Sequence, residues 1–235
     1  MKIKLFLSLI SVSVLIISCT PSKFFIDEDF KNASPESRLI VTKVNEIDIS
    51  QALELFTLDN LRIVRNTFFE YQRNYLPIEL RNISKFKSVS TSSYSIPPQF
   101  EKKEFVVNEE EKVEIMVPKS SLKYEQEGID YVLFFEDYKI GFELEEIDSS
   151  DPAKVVSTEK LPGLEPLLKP NKLYKLEFVI RNKYFIYDNK NAKVVIAGNA
   201  VIKERYSPEM NLEKVLIESL NGLAKRVINK TPFAK

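Results

Sequence analysis

Arg38-Leu-Ile-Val-Thr-Lys-Val44 is the stretch on which the reading of this chain turns. It is a short, β-branched run of the kind that forms a strand. Beyond it, Leu61, Val64, Phe68, Tyr71 and Tyr75 recur at three- and four-residue steps, the spacing of one helical face. Ser50 or Asp59 starts that helix. Pro77 ends or kinks it, with Ile78, Leu80 and Ile83 adding a turn or two. Lys85-Phe-Lys-Ser-Val-Ser90 then supplies a second short strand. Strand, long helix, strand is a crossover unit, and it predicts parallel pairing.

The remainder reads mostly as antiparallel strands. Residues 91–103 are rich in Ser, Thr and Pro and form a loop. Glu104-Phe-Val-Val107 pairs with a strand on which Val113, Ile115 and Val117 alternate, the turn being Asn108-Glu-Glu-Glu111. Ile129-Asp-Tyr-Val-Leu-Phe-Phe135 is the most apolar stretch after the amino terminus. It suits a strand buried on both faces, and the alternation of Ile140, Phe142 and Leu144 extends it. A proline-rich segment, 146–172, makes an inserted loop. Leu176, Phe178, Ile180, Tyr184 and Ile186 alternate along a strand from about 173 to 187. Asp188-Asn-Lys-Asn191 turns it back into Lys193–Lys203, with a bulge expected at Gly198. Ser207 caps a final helix with Pro208 in its first turn, and Leu212, Leu216, Leu220, Leu223 and Val227 line one face. The expected fold class is a mixed α/β (α+β) arrangement. A mixed sheet carries the long helix of the amino-terminal half and an amphipathic carboxy-terminal helix packed on it.

Composition excludes several functions. The 235 residues include 34 Lys+Arg, 34 Asp+Glu, no His, no Trp, one Cys and five Gly. Zero net charge argues against a nucleic-acid binder, which needs a basic surface to release counterions. Without histidine there is no Ser-His-Asp triad, no Cys-His pair and no His-ligated zinc. The glycines, at 128, 141, 163, 198 and 222, are too far apart for a phosphate-cradling loop. No cofactor and no metal site is expected.

Met1-Lys-Ile-Lys4 is a basic start followed by thirteen uncharged residues, Leu5–Ile17, and then Ser18-Cys19. That is the layout of a secretory signal, too short to span a bilayer that needs about 20 apolar residues. Ile16-Ile17-Ser18-Cys19 resembles the bacterial lipobox. The resemblance implies cleavage between Ser18 and Cys19, a diacylglycerol thioether on Cys19 and a further acyl chain, such as palmitate, on the new amino terminus. Two or three acyl chains anchor stably where one is marginal. Cys19 is the only cysteine, so it has no disulfide partner within the chain. Removal of residues 1–18 leaves 32 basic against 34 acidic residues. Thr20, where an Asp tends to retain enterobacterial lipoproteins at the inner membrane, favours the periplasmic face of the outer membrane. Residues 19–37 are then a lipidated tether and 38–235 one α/β domain.

The β-α-β start from Arg38 to Ser90, the hairpin around Tyr187-Asp188-Asn-Lys-Asn-Ala-Lys-Val-Val195 and the closing helix together resemble an envelope family. It comprises the amino-terminal domain of TolB, CsgG-type secretion lipoproteins and auxiliary lipoproteins of envelope transporters. The resemblance implies a binding or assembly role with an envelope protein partner.

Other candidate residues are few. Glu143 and Glu145 share a strand face, and with Glu146, Asp148 and Asp151 they form an acidic stretch read as a solvated edge rather than a calcium site. Tyr71 and Tyr75 lie near the apolar helix face, and Tyr184 and Tyr187 on opposite strand faces, all read as core packing. Glu213, Lys214, Glu218, Lys225 and Arg226 form the water-facing side of the last helix. The expected function is therefore a non-enzymatic, membrane-anchored lipoprotein. Two alternatives stand beside it: a carrier or sensor for a small apolar ligand or lipid held between helix and sheet, and a carboxylate-based glycan hydrolase.

Overall fold

A computed structural model describes residues 23–30, 36–49, 58–92, 100–108, 111–119, 124, 128–147, 173–207, 209–229 and 231–235. Their order is β1 (Lys23–Ile26), β2 (Arg38–Val41), α1 (Leu58–Glu70), a π turn (Tyr71–Tyr75), α2 (Leu76–Ile83), β3 (Ser88–Thr91), β4 (Phe100–Asn108), β5 (Glu111–Pro118), β6 (Tyr131–Ile147), β7 (Leu173–Asp188), β8 (Lys193–Arg205) and α3 (Leu212–Ile228). Six strands form a mixed sheet in the order β1-β8-β7-β6-β2-β3, while β4 and β5 form a separate antiparallel ribbon. The class is α+β, as the sequence pattern predicts.

The crossover sits where the periodicity puts it. β2 runs parallel to β3, with Leu39 opposite Val89, and parallel to β6, with Ile40 opposite Val132. The long antiparallel pairs β6–β7 and β7–β8 complete the sheet. Strand alternation then builds two cores. Leu133, Phe135, Ile140, Phe178, Ile180 and Tyr184 pack against the helices, joined by Leu216, Leu220, Leu223 and Val227 from α3. Val132, Phe134, Phe185 and Tyr187 face the other way, where Phe105, Val113, Ile115 and Val117 of the ribbon cover them. The start of β6, Tyr131–Phe135, is thus buried on both faces, as its unbroken apolar run requires.

Several local expectations need correction. Residues 23–26, read as tether, form an edge strand antiparallel to β8. Its aromatics explain this. Phe25 packs at a tilt against Phe105, 5.1 Å between ring centroids, and Phe30, just beyond, meets Phe233 at 5.0 Å. β4 begins at Phe100, inside the segment read as a loop. The β8 irregularity falls not at Gly198 but where Ile186 pairs Ile196 and Tyr187 pairs Val194, leaving Val195 as the extra residue. The cap of α3 is Asn211 rather than Ser207, its Oδ1 accepting the Lys214 N–H at 3.0 Å. Ser207 instead closes a turn, its carbonyl accepting the Met210 N–H. Tyr75, expected on the apolar helix face, is exposed. Residues 1–22, including Ser18 and Cys19, and the segment 148–172, including Asp148 and Asp151, lie outside the described residues.

Candidate functional site

In an open sheet of parallel strands, ligands favour the carboxyl ends at the point where connections diverge to opposite sides. Here that point is the end of β2. The chain leaves β2 and crosses over to β3 on one side, while β6 lies parallel on the other. Residues 42–48 run alongside β6 but not against it throughout. The Thr42 N–H donates to the Leu133 carbonyl, and contact resumes at Asp48, whose N–H donates to the Tyr138 carbonyl at 2.8 Å. Between those points β6 bulges, with two residues facing one on β7 between the pairs Glu136–Lys183 and Lys139–Arg181. Asp137 adopts a left-handed φ of 47° to make the bulge. The Asn182 amide fills the gap in the ladder, donating to the Glu136 carbonyl at 2.8 Å.

The separation opens a crevice of about 920 Å³, walled on its third side by the ribbon. Its floor includes Val44, Ile47, Phe135 and Tyr138. Its charges are mixed: Lys43, Lys102, Lys139 and Lys183 against Glu46, Asp48, Glu114, Glu136 and Asp137. Lys102 pairs with Glu114 at 2.6 Å and Lys183 with Asp137 at 3.6 Å. Lys43 and Lys139 have no ion-pair partner among the described residues. Glu136 is the perturbed group. Burial pushes its carboxyl up to about 7, and the Asp137 charge adds to that, although the Met116 N–H at 2.7 Å and Lys183 pull the other way. A proton affinity near neutrality in a cleft marks a functional candidate.

Sequence reasoning pointed to none of these crevice residues. One signal was present: Glu136-Asp137 interrupts the most apolar strand of the chain. The residues it did single out are placed elsewhere. Glu143 is bound by Arg181 and by Lys203 at 2.9 Å. Burial alone would raise its carboxyl, but these two cations hold it below the usual range. Lys203 also reaches Glu177 at 3.4 Å, directly across the ladder from Glu143, so these acids belong to an ion-pair lattice on the sheet. Glu145 pairs with Lys175. Tyr184 and Tyr187 do lie on opposite faces, one in each core. Glu213, Lys214, Glu218 and Lys225 are exposed on α3 as expected.

Among the described residues no group of three or more acidic or cysteine side chains is arranged to hold a metal ion. Among them, too, no helix is long and apolar enough to cross a membrane. Hydrolysis by paired carboxylates would require a second acid about 5–10 Å from Glu136 across the cleft. The crevice holds four further acids, Glu46, Asp48, Glu114 and Asp137, of which Glu114 and Asp137 are each engaged by a lysine.

No protein-family model matches the chain, and no curated protein matches it. Among solved structures it is similar to the PelC dodecamer from Paraburkholderia phytofirmans, at 11% identity and a TM-score of 0.36 over 90% of this chain and 98% of that one. It is also similar to a neuraminyllactose-binding hemagglutinin homolog from Helicobacter pylori, at 13% identity and a TM-score of 0.37 over 84% and 82% of the two chains. Likenesses this weak say nothing of what this chain binds.

Proposed function

We propose that this chain is a bacterial lipoprotein, held by acyl chains on Cys19 at the periplasmic face of the outer membrane, that binds a polar envelope partner in the crevice at the end of β2. No enzymatic step is assigned to it. The crevice carries the proposal. It is large, lies where an open sheet presents its ligand site, and offers free lysines beside a protonatable acid. Its polar walls favour a peptide or saccharide surface over an apolar ligand. The space between α3 and the sheet, where an apolar carrier would hold its cargo, is filled by Leu216, Leu220, Phe178 and Ile180.

The fold also supports a short leash. Cys19 precedes Lys23 by four residues, a reach of at most about 14 Å, rather than the long tether the composition suggests. Lys23 pairs with Asn199, and Asn199 with Lys183 on the crevice wall. Adjacent strands lie about 5 Å apart, so acyl chains on Cys19 would hold the crevice close to the bilayer surface. A partner would then be met at its membrane-proximal end.

Cells fed labelled palmitate are expected to yield a labelled band that Cys19→Ala abolishes; a label retained by the variant would overturn the anchor. A photo-crosslinking side chain at Met116, on the crevice rim, is expected to capture one envelope protein. The same side chain at Lys190, in the exposed β7–β8 turn, is expected not to. Equal capture from both positions would overturn the crevice as the binding site.

A further inference from the structure

The helix after β2 widens at Tyr71–Tyr75 because of Pro77. Proline supplies no amide hydrogen, and its ring crowds the carbonyl four residues back, that of Arg73. The widened turn is closed by the Leu76 N–H, which reaches back to the Tyr71 carbonyl. Such turns are frequent at functional sites. This one is pinned from two sides. The Tyr71 hydroxyl donates to Asn221 Oδ1 of α3 at 2.8 Å, and Gln72 Oε1 accepts the Val44 N–H at 3.2 Å. Gln72 is only 5% exposed, and its Nε2, with two hydrogens to give, has no hydrogen-bond partner among the described residues. The Val44 bond fixes which end of the amide is the oxygen, so the unused group is a donor. A buried, unused donor is uncommon enough to call for an explanation.

A cavity of about 210 Å³ lies at this point, lined by Lys43, Val44, Asn45, Phe69, Gln72 and Arg73. The first three also line the crevice, so the two spaces adjoin. The lining contains two cations and no carboxylate. Neither Lys43 nor Arg73 has an ion pair or side-chain hydrogen bond among the described residues. An ammonium, a guanidinium fork and the glutamine that carries the unused, buried amide donor line one small space, a complement for an oxyanion.

We infer that this cavity is an anion subsite, taking the carboxylate or phosphate group of whatever occupies the adjoining crevice. The inference rests on the crevice being a binding site, but not on the lipid anchor. In it, Arg73 grips two oxygens of the anion, Lys43 neutralises its charge, and the Gln72 amide satisfies its own buried hydrogens on a third lone pair. The Pro77-induced turn is what allows Gln72 to serve Val44 and the anion together.

The test uses the full-length chain in detergent micelles with ¹⁵N-labelled glutamine side chains. Inorganic phosphate and acetate are titrated separately at constant ionic strength. A saturable shift is expected in the one side-chain signal that Gln72→Leu removes. Tighter saturation by phosphate identifies a phosphoester source, and tighter saturation by acetate a carboxylate. Lys43→Ala and Arg73→Ala, both at exposed positions, are each expected to weaken binding about tenfold, while Lys190→Ala leaves it unchanged. A shift that tracks ionic strength without saturating would overturn the subsite, as would unchanged affinity in the Lys43→Ala/Arg73→Ala double variant. Met116 crosslinking that persists when phosphate and acetate both fail to bind removes the subsite alone. Loss of specific crosslinking removes the crevice reading itself.

Discussion

Glu136 holds its proton to about pH 7 because burial makes its charged form expensive, and the single amide hydrogen from Met116 does not compensate. The unfolded chain ionises the same carboxyl near its ordinary value of 4.5. Between those two values the folded state binds more protons, so stability falls as pH rises through this interval. Glu136→Gln keeps the oxygen that accepts the Met116 N–H and removes the titration. The variant should therefore match the wild type near pH 4.5 and exceed it above pH 7. Discounted for the solvent that still reaches the group, the gain is about 1–2 kcal/mol. Urea midpoints of both proteins across that range check it, and a difference curve flat with pH would contradict the assignment. Glu143 behaves oppositely, since Lys203 and Arg181 favour its charge, and it contributes to loss of stability in acid instead. Both acids stand on one strand. Beyond its place at the break in the apolar run, nothing in the one-dimensional context tells half-buried Glu136 from Glu143, because the difference lies in β5 and β8, which arrive from elsewhere in the chain.

At the scale of the element, the helices obey their local chemistry closely. Pro77 does not end the amphipathic pattern. It widens the helix at Tyr71–Tyr75, after which α2 runs on to Ile83. The same widening accounts for Tyr75: the broader turn rotates it away from the face that Leu61, Val64, Phe68 and Tyr71 share, and it stands exposed. In α3, Asn211 displaces Ser207 as cap because its side chain reaches the Lys214 amide, just ahead of the fully buried Leu216. Gly222 lies within this helix. A methyl group there would meet Ile202 Cδ1 at 3.4 Å, an ordinary contact. Gly222→Ala should therefore stabilise the protein by about 0.5–1 kcal/mol through helix propensity, read as a raised Tm. A lowered Tm would show that α3 lies closer to β8 than this contact allows. β1 is the element that local pattern misses. Four residues carry no periodicity, and only pairing with β8 makes them a strand.

For the whole molecule, the first and last described segments are joined through aromatic rings. Phe233 sits 4.5 Å from Phe86, 4.8 Å from Tyr131 and 5.0 Å from Phe30, tying the carboxy-terminal tail to β6, to the approach to β3 and to the segment after β1. It is fully buried, so Phe233→Ala should cost about 3–5 kcal/mol, measured by denaturant unfolding. A loss under about 1 kcal/mol would be that of a surface site and would mean that the tail does not close the core. The crevice is likewise a property of the assembled fold: the segment after β2, the β6 bulge and the ribbon each supply one wall. Local pattern alone yields most of the strands and helices, the parallel crossover and the two-faced burial at the start of β6, because period and residue type act over a few neighbouring positions. The assembled fold alone makes residues 23–26 an edge strand, half-buries Glu136, and brings Lys43 and Arg73 to one cavity with Gln72. Those facts depend on which distant segments come into contact, and strand order in a sheet is set by the packing of the whole rather than by any local signal.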